Sequence, residues 1–307
     1  MNCCIIGKGS IGKRHANILE KFNNKVFFLR RKINRNSQNE INFLNKKALK
    51  RMHLFIIANP SSEHQKTIKK ILKFNKPIIV EKPFATQKKI NNSIINYNKI
   101  FIAYQMRFDP KINFLKKYIK KRNILKSFFT WKSYLPLWHK NENYKKSYAA
   151  KKSLGGGVIY TMSHEIDLAI YLLGKVKSVY VKKYKNFLNI DVEDKVKIIL
   201  NHNRSIKSYI LLSFCSKLVT RKILIKEIER NLKWDFIKKT VTIKNKKIKF
   251  EENNDNIYER QIKNILFVIK NKNYNTSRIH LKKIIHTQNV INACVKSHKL
   301  QKKIYLN

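Results

Sequence analysis

The chain has 307 residues, 43% of them hydrophobic, and sets 68 lysines and arginines against 18 aspartates and glutamates for a formal net charge of +50. That length suits two domains of about 100–200 residues each, and that apolar content excludes wholesale disorder. No apolar run approaches the roughly 20 residues of a membrane helix. Met1–Ile6 run straight into a glycine loop without the basic and apolar regions of a secretory leader, so a cytoplasmic protein is expected.

In chain order, NCCII (2–6) reads as a short buried strand, residues 11–22 as a helix with Ile11, Ile18, Leu19 and Phe22 on one side, and KVFFL (25–29) as a second strand. HLFIIA (53–58) is another strand, followed by Asn59-Pro60 and a helical stretch from Ser62 to Phe74; PIIV (77–80) and KIFIAYQ (99–105) complete the series. Strands alternating with helices predict a doubly wound parallel sheet. After about residue 118 the pattern changes: LKSFFTWKSYL (125–135) alternates as a strand, and a long loop, a glycine triplet and a helix over 160–173 follow. From 175 to 250 the chain is mostly strand, with VTIKNKKIKF (241–250) as the last, and helical patterns return over 257–270 and 278–297. Runs of strands with few helices between them predict an α+β domain on a mostly antiparallel sheet. The expected division is 1–118 and 119–307.

Only seven glycines occur, and six fall in two clusters, Gly7, Gly9, Gly12 and Gly155, Gly156, Gly157. Where glycine is so scarce, the survivors mark places where a side chain does not fit. GKGSIG (7–12) has the G-x-G-x-x-G spacing between a predicted strand and a predicted helix, the context that makes it a dinucleotide-binding turn of a Rossmann domain. Gly7 serves the tight turn, Gly9 the approach of the backbone to the pyrophosphate, and Gly12 helix–strand packing, while Ser10 and Ile11 open the helix whose free amides face the phosphates. The second strand ends in Arg30-Arg31 without an adjacent acid. An arginine there accommodates a 2′-phosphate, so NADP is preferred over NAD. EKP (81–83) closes a buried strand, and ligands of such sheets lie beyond the carboxyl ends of strands, which puts Lys82 towards the nicotinamide. His164 stands on the predicted helix after the glycine triplet, with Asp167 one turn on. An imidazole is suited to taking a hydroxyl proton as hydride leaves. The four cysteines, Cys3, Cys4, Cys215 and Cys294, lack metal-ligand spacing and are expected as buried reduced thiols, with no metal site.

Taken together, GKGSIGKRHANIL (7–19), ANPSSEHQ (58–65), EKPFA (81–85), AYQMRFDP (103–110) and GGGVIYTMSHEIDLAIYLLG (155–174) resemble, in order and spacing, the glucose–fructose oxidoreductase/inositol dehydrogenase (Gfo/Idh/MocA) family over nearly the whole chain. The resemblance implies a Rossmann domain followed by an α+β domain with an open sheet, and a lysine of EKP, here Lys82, that hydrogen-bonds the substrate oxygen. It also implies a histidine, here His164, that handles the proton or orients the substrate. By the same resemblance Asn59, Pro60, His64 and Glu81 belong to the cofactor side, and Gln105 and Arg107 to the substrate side. Tyr134, Trp138 and Tyr148, in the aromatic loop 133–148, are substrate-wall candidates, because sugars stack on aromatic faces. The chain departs from the family at Thr161, where an acid often precedes the histidine.

The function implied is NAD(P)-dependent hydride transfer between nicotinamide and a secondary hydroxyl or ketone of a sugar, amino-sugar, nucleotide-sugar or polyol, in a homodimer or homotetramer. The similarity extends to members associated with surface-polysaccharide or nonulosonic-acid pathways. The basic surface favours an anionic substrate. Thr161 keeps open a cofactor-binding protein with lost or altered catalysis, and reduction of a C=N or C=C bond is a further enzymatic alternative. Nucleic-acid binding rests on charge alone. That charge is spread along a chain rich in Lys, Asn and Ile, the bias of AT-rich coding, and is set below the others.

Overall fold

Leu54–Ile57, Ile78–Val80 and Ile100–Ile102 are buried at every position, as strands covered on both faces must be. The computed structural model describes residues 1–307 apart from 31, 33–38, 87–88, 121, 139–141, 229, 245, 250–254 and 307, and without the side chains of 204, 255 and 256. It divides into two compact units, Met1–Phe108 with Asn254–Ile285, and Asp109–Asn253 with His286–Asn307.

The first unit begins β1 (Asn2–Ile6), α1 (Ser10–Lys21), β2 (Lys25–Arg30), β3 (Glu40–Asn42), α2 (Lys46–Lys50), β4 (Leu54–Ile57), α3 (His64–Leu72), β5 (Ile78–Val80), α4 (Asn92–Ile95) and β6 (Ile100–Ile102). Among the described residues the sheet has six strands in the order β3-β2-β1-β4-β5-β6, all pairs parallel. That order places the β1 and β4 carboxyl ends side by side at the point where the winding reverses, the place where open α/β sheets bind ligands. β3 is too short and too polar to show as a strand in the sequence.

The second unit follows with α5 (Pro110–Ile119), β7 (Ile124–Tyr134), α6 (Val158–Thr161), α7 (His164–Leu173), β8 (Val176–Lys183), β9 (Lys195–His202), β10 (Lys207–Ser213), β11 (Cys215–Glu227), β12 (Asn231–Asp235), β13 (Thr240–Ile243) and β14 (Lys246–Lys249). α8 (Asp255–Lys270) returns to the first unit, where Ile262, Ile265 and Val268 join the core beside α1. α9 (Leu281–Leu300) and β15 (Ile304–Tyr305) complete the chain. The second sheet runs β14-β13-β12-β11-β7-β10-β9-β8-β15, and among the described residues only β7 and β10 pair in parallel. In β9, Val196, Ile198, Leu200 and His202 are buried while Lys195, Lys197, Ile199 and Asn201 are more exposed, the period-two signature of a sheet with one covered face. α6 and α7 cover that face.

Three expectations need correction. Residues 241–250 are not one strand but a hairpin, with Val241 opposite Ile248 and a turn at Lys244, whose φ of 51° bends the chain back. The helix over 160–173 is two helices, interrupted between Thr161 and His164. α5, whose entry Asp109 caps through the Lys111 amide at 2.8 Å, lies where the reading placed only a change of pattern.

Candidate active site

The three loop glycines do different work. A Cβ on Gly7, whose φ is 111°, would run into the Ala58 carbonyl beyond β4, and one on Gly12 would run into the Gly7 carbonyl. Gly9 has an ordinary φ of −75° and nothing within 4 Å of where its Cβ would stand. The fold therefore requires Gly7 and Gly12, whereas Gly9 leaves bare space at the start of α1. Gly9 is the N-cap and makes no side-chain cap, which leaves the first amides of the helix, from Ser10 and Ile11 onward, without a capping side chain. Open space above uncapped amides is what a pyrophosphate needs, so these residues fit a dinucleotide. The acid missing beside Arg30 in sequence is supplied from β3 by Glu40, which accepts from Lys8. Arg31 lies outside the described residues.

At the end of β5 the acid of the EKP motif belongs to the framework. Glu81 is turned inward. Its Oε1 lies 2.8 Å from His15 Nε2, and its Oε2 accepts from the Lys82 amide at 3.3 Å. His15, on α1, is fully buried, with its ring edge-on to Tyr258 of α8 at 6.4 Å. Gln105 donates to the Tyr258 hydroxyl at 2.9 Å. A chain of contacts thus ties the glycine-loop helix to the EKP turn. His15 was not singled out from sequence, and its only signal was its place in GKRHA. His64 is also buried, with Nε2 3.0 Å from the Asn59 carbonyl and Nδ1 3.0 Å from that of Pro83, pinning the loop after β4 to the EKP turn. Burial pushes its pKa below the ordinary histidine value, against the pull of these carbonyls. The Asn59 amide donates to Thr67 at 2.9 Å, and Pro60 caps the 3-10 turn Ser61–Glu63. Arg107 donates to the Arg278 carbonyl at 3.0 Å, and Arg278 returns the bond to the Arg107 carbonyl at 2.9 Å. Lys82 itself is half-buried.

In the second unit the glycine triplet turns into α6 against Glu193. The Glu193 carbonyl accepts from Val158 at 3.0 Å and its carboxylate accepts from Ile159 at 3.1 Å. A Cβ on Gly157, whose φ is 96°, would strike that carboxylate. Burial pushes the Glu193 pKa up to about 7. Two short helices then place Thr161 at the end of α6 and His164 at the start of α7, both buried. Glu165 accepts from Arg221 at 2.7 Å, and that guanidinium lies 4.3 Å from the Trp131 ring centroid. Asp167 is fully buried and accepts from Thr287 at 3.0 Å. Both acids near His164 are therefore bonded within the framework of this unit. In the aromatic loop Trp138 donates to Ser133 at 3.0 Å and stands edge-on to Phe214 at 5.3 Å. Tyr134 ends β7 half-buried, and Tyr148 is 45% exposed. No cluster of three or more His, Cys, Asp or Glu among the described residues is placed to hold a metal ion.

A Rossmann sheet with a bare glycine turn, followed by a second, mostly antiparallel sheet, defines a class, the two-unit dinucleotide-linked oxidoreductases. Residues 1–96 match the oxidoreductase family model with an NAD-binding Rossmann fold, and residues 129–224 match the GFO/IDH/MocA C-terminal domain. The two stretches take in more than half of the chain, which belongs to the GFO/IDH/MocA oxidoreductase family. Solved structures show the same fold at low identity. A levoglucosan dehydrogenase in complex with NADH aligns at TM-score 0.86 and 15% identity, covering 100% of this chain and 99% of that one. The WlbA dehydrogenase from Bordetella pertussis, in complex with NADH and UDP-GlcNAcA, gives 0.80 and 17%, with coverages of 100% and 99%. A putative NADPH-dependent oxidoreductase from Desulfitobacterium hafniense gives 0.84 and 16%, with coverages of 99% and 97%. No curated protein sequence matches.

Proposed function

We propose that this protein interconverts a secondary hydroxyl and a ketone on a sugar, amino-sugar, nucleotide-sugar or polyol with a nicotinamide dinucleotide as redox partner. The observation that carries the reading is Gly9: open space over uncapped helix amides, in a sheet whose other two loop glycines are fixed by packing. Residues 1–118 hold the dinucleotide in this reading, and 119–307 shape the substrate site and the assembly. Gly7, Gly9, Ser10, Ile11 and Gly12 receive the pyrophosphate, Arg30 and Arg31 border the adenosine ribose, and Asn59, Pro60, His64 and Glu81 shape the nicotinamide side. When bound, the dinucleotide supplies or accepts the hydride.

The protein's own part is to hold the substrate and move its proton. Lys82, half-buried at the end of β5, hydrogen-bonds the substrate oxygen through its ammonium and delivers or receives the proton there. His164 accepts from the substrate hydroxyl and orients it. Asp167 supports His164 from within α7, through the helix it anchors to Thr287. Tyr148, the exposed ring of the loop, offers a stacking face to the sugar, with Tyr134 and Trp138 behind it and Gln105 and Arg107 as polar contacts. The basic surface favours an anionic substrate, and buried reduced Cys3, Cys4 and Cys294 suit a cytoplasmic setting. The uncovered face of the second sheet, where Phe128 stacks on Tyr209 at 5.3 Å, takes a second copy of the chain to give a dimer or tetramer.

The test is oxidation of NADH and NADPH against a panel of keto-sugars and keto nucleotide-sugars. Turnover with at least one is expected, abolished in Lys82→Ala with only a slight loss of cofactor affinity. A near-normal kcat in that variant refutes the role of Lys82. A second reading, cofactor binding without turnover, is favoured by Thr161 and by the engagement of Glu165 with Arg221. Tight dinucleotide binding with no turnover across the panel would select it.

A further inference from the structure

We propose that Glu40 sets the choice of dinucleotide and makes this site select NAD(H) over NADP(H), an inference that rests on the dinucleotide reading above. β3 runs parallel to β2 with Glu40 beside Phe28 and Asn42 beside Arg30. The Glu40 side chain is only 5% exposed, yet its Oε1 lies 2.8 Å from Lys8 Nζ and 3.8 Å from Arg30 Nε. Lys8 stands between the first two loop glycines, and its ammonium lies 5.3 Å from the Phe28 ring centroid. Two cations and one nearly buried carboxylate therefore meet where the loop leaving β1 approaches β2 and β3. In a Rossmann sheet that is where the adenosine ribose is read.

An arginine at the end of β2 by itself invites a 2′-phosphate. Here the carboxylate already holds Lys8 and lies 3.8 Å from Arg30. A phosphate dianion brought to Arg30 would face the nearly buried Glu40 carboxylate at short range, and like charges repel. It would also have to draw Lys8 and Arg30 away from a partner they already have. A ribose 2′-hydroxyl asks for none of this. It donates to a carboxylate oxygen, which can accept more than one hydrogen bond. Sequence could not show this, because Glu40 stands ten positions past Arg30 and becomes its neighbour only through the β2–β3 pairing.

The experiment measures Kd for NADH and NADPH by nicotinamide fluorescence on the full chain, in wild type, Glu40→Gln, Arg30→Ala and the double variant Lys8→Ala/Glu40→Gln. Wild type is expected to favour NADH by about tenfold or more. Glu40→Gln should cut that ratio at least about tenfold, mostly by tightening NADPH, and adding Lys8→Ala should remove the gain. Arg30→Ala, at a side chain 44% exposed, should leave the ratio within about threefold, since Glu40 already balances that charge. It serves as the second variant should Glu40→Gln fold poorly. A wild-type preference for NADPH, an unchanged ratio in Glu40→Gln, or a tenfold loss of NADPH alone in Arg30→Ala overturns the proposal while the dinucleotide reading stands. Binding of neither dinucleotide by wild type overturns both.

Discussion

Two alanine substitutions in the loop and first helical turn after β1, at Gly9 and Gly12, should have opposite consequences. In Gly9→Ala the new methyl meets no protein atom within 4 Å, and the backbone at φ −75° suits any residue. The unfolded chain loses conformational freedom, while alanine is a poorer N-cap than glycine, so folding stability should stay within about 1 kcal/mol of wild type. The methyl stands instead in the bare space over the first amides of α1, and NADH affinity should fall by about a hundredfold or more, the loss of a few charge-assisted hydrogen bonds. In Gly12→Ala the methyl strikes the Gly7 carbonyl, which is backbone and cannot rotate away. Alanine gains about 1 kcal/mol in helix propensity, but forced displacement of packed backbone typically costs about 1–3 kcal/mol or more, so this variant should be destabilised. Urea unfolding and NADH fluorescence titration on both variants separate the cases. A Gly9→Ala protein that binds NADH normally would refute the assignment of that space to the pyrophosphate. One that loses about 2 kcal/mol or more would refute the packing argument.

The remaining predictions concern groups buried in the framework. Removing His15 leaves Glu81 without its partner and opens a cavity, so His15→Ala should cost roughly 3 kcal/mol in urea unfolding. It should also lower kcat more than it raises KM, because the Lys82 amide hangs from the same carboxylate; an unchanged kcat would show that the contact chain does not position Lys82. Two buried groups titrate with opposite effects on stability. Glu193 is raised by burial from 4.5 to about 7, so the folded state holds its proton more firmly and stability is lost as pH climbs through that window, by about 3 kcal/mol in all. His202, which bonds Gly174 and Ser208 at 3.0 and 2.8 Å, is lowered by burial from 6.5 to about 4, so stability is complete above 6.5 and is lost as pH falls towards 4. Glu193→Gln should therefore expose a stability that rises from pH 4 to 6.5, and His202→Asn one that falls up to pH 7. Identical slopes in the two variants would contradict both assignments.

Much of the first sheet was legible because parallel strands buried on both faces are unbroken apolar runs, as in LFII and PIIV, and because scarce glycine marks the places where packing or ligand approach forbids a side chain. Elements without an apolar run were invisible: β3 (EIN) and β12 (NLKWD) draw their stability from neighbouring strands rather than from their own pattern. The helical period of α8 showed a helix but could not show that it returns to cover α1. At the site, motif residues were legible and their partners were not. Glu81 was legible as part of EKP, but His15, which holds it, lies 66 residues away in sequence, as Arg221 lies 56 from Glu165. Glu193 likewise explains Gly157 only once the turn is folded against it.

Isotope transfer follows the hydride itself. NADH or NADPH deuterated at the transferring C4 position is incubated with the protein and each keto-sugar of the panel, and the products are read by mass spectrometry and NMR. The account predicts one deuterium on the carbinol carbon of at least one product, none in Lys82→Ala, and none on a carbon of a reduced C=N or C=C bond. A protein that binds the dinucleotide tightly yet places no deuterium on any hydroxyl-bearing carbon would contradict it.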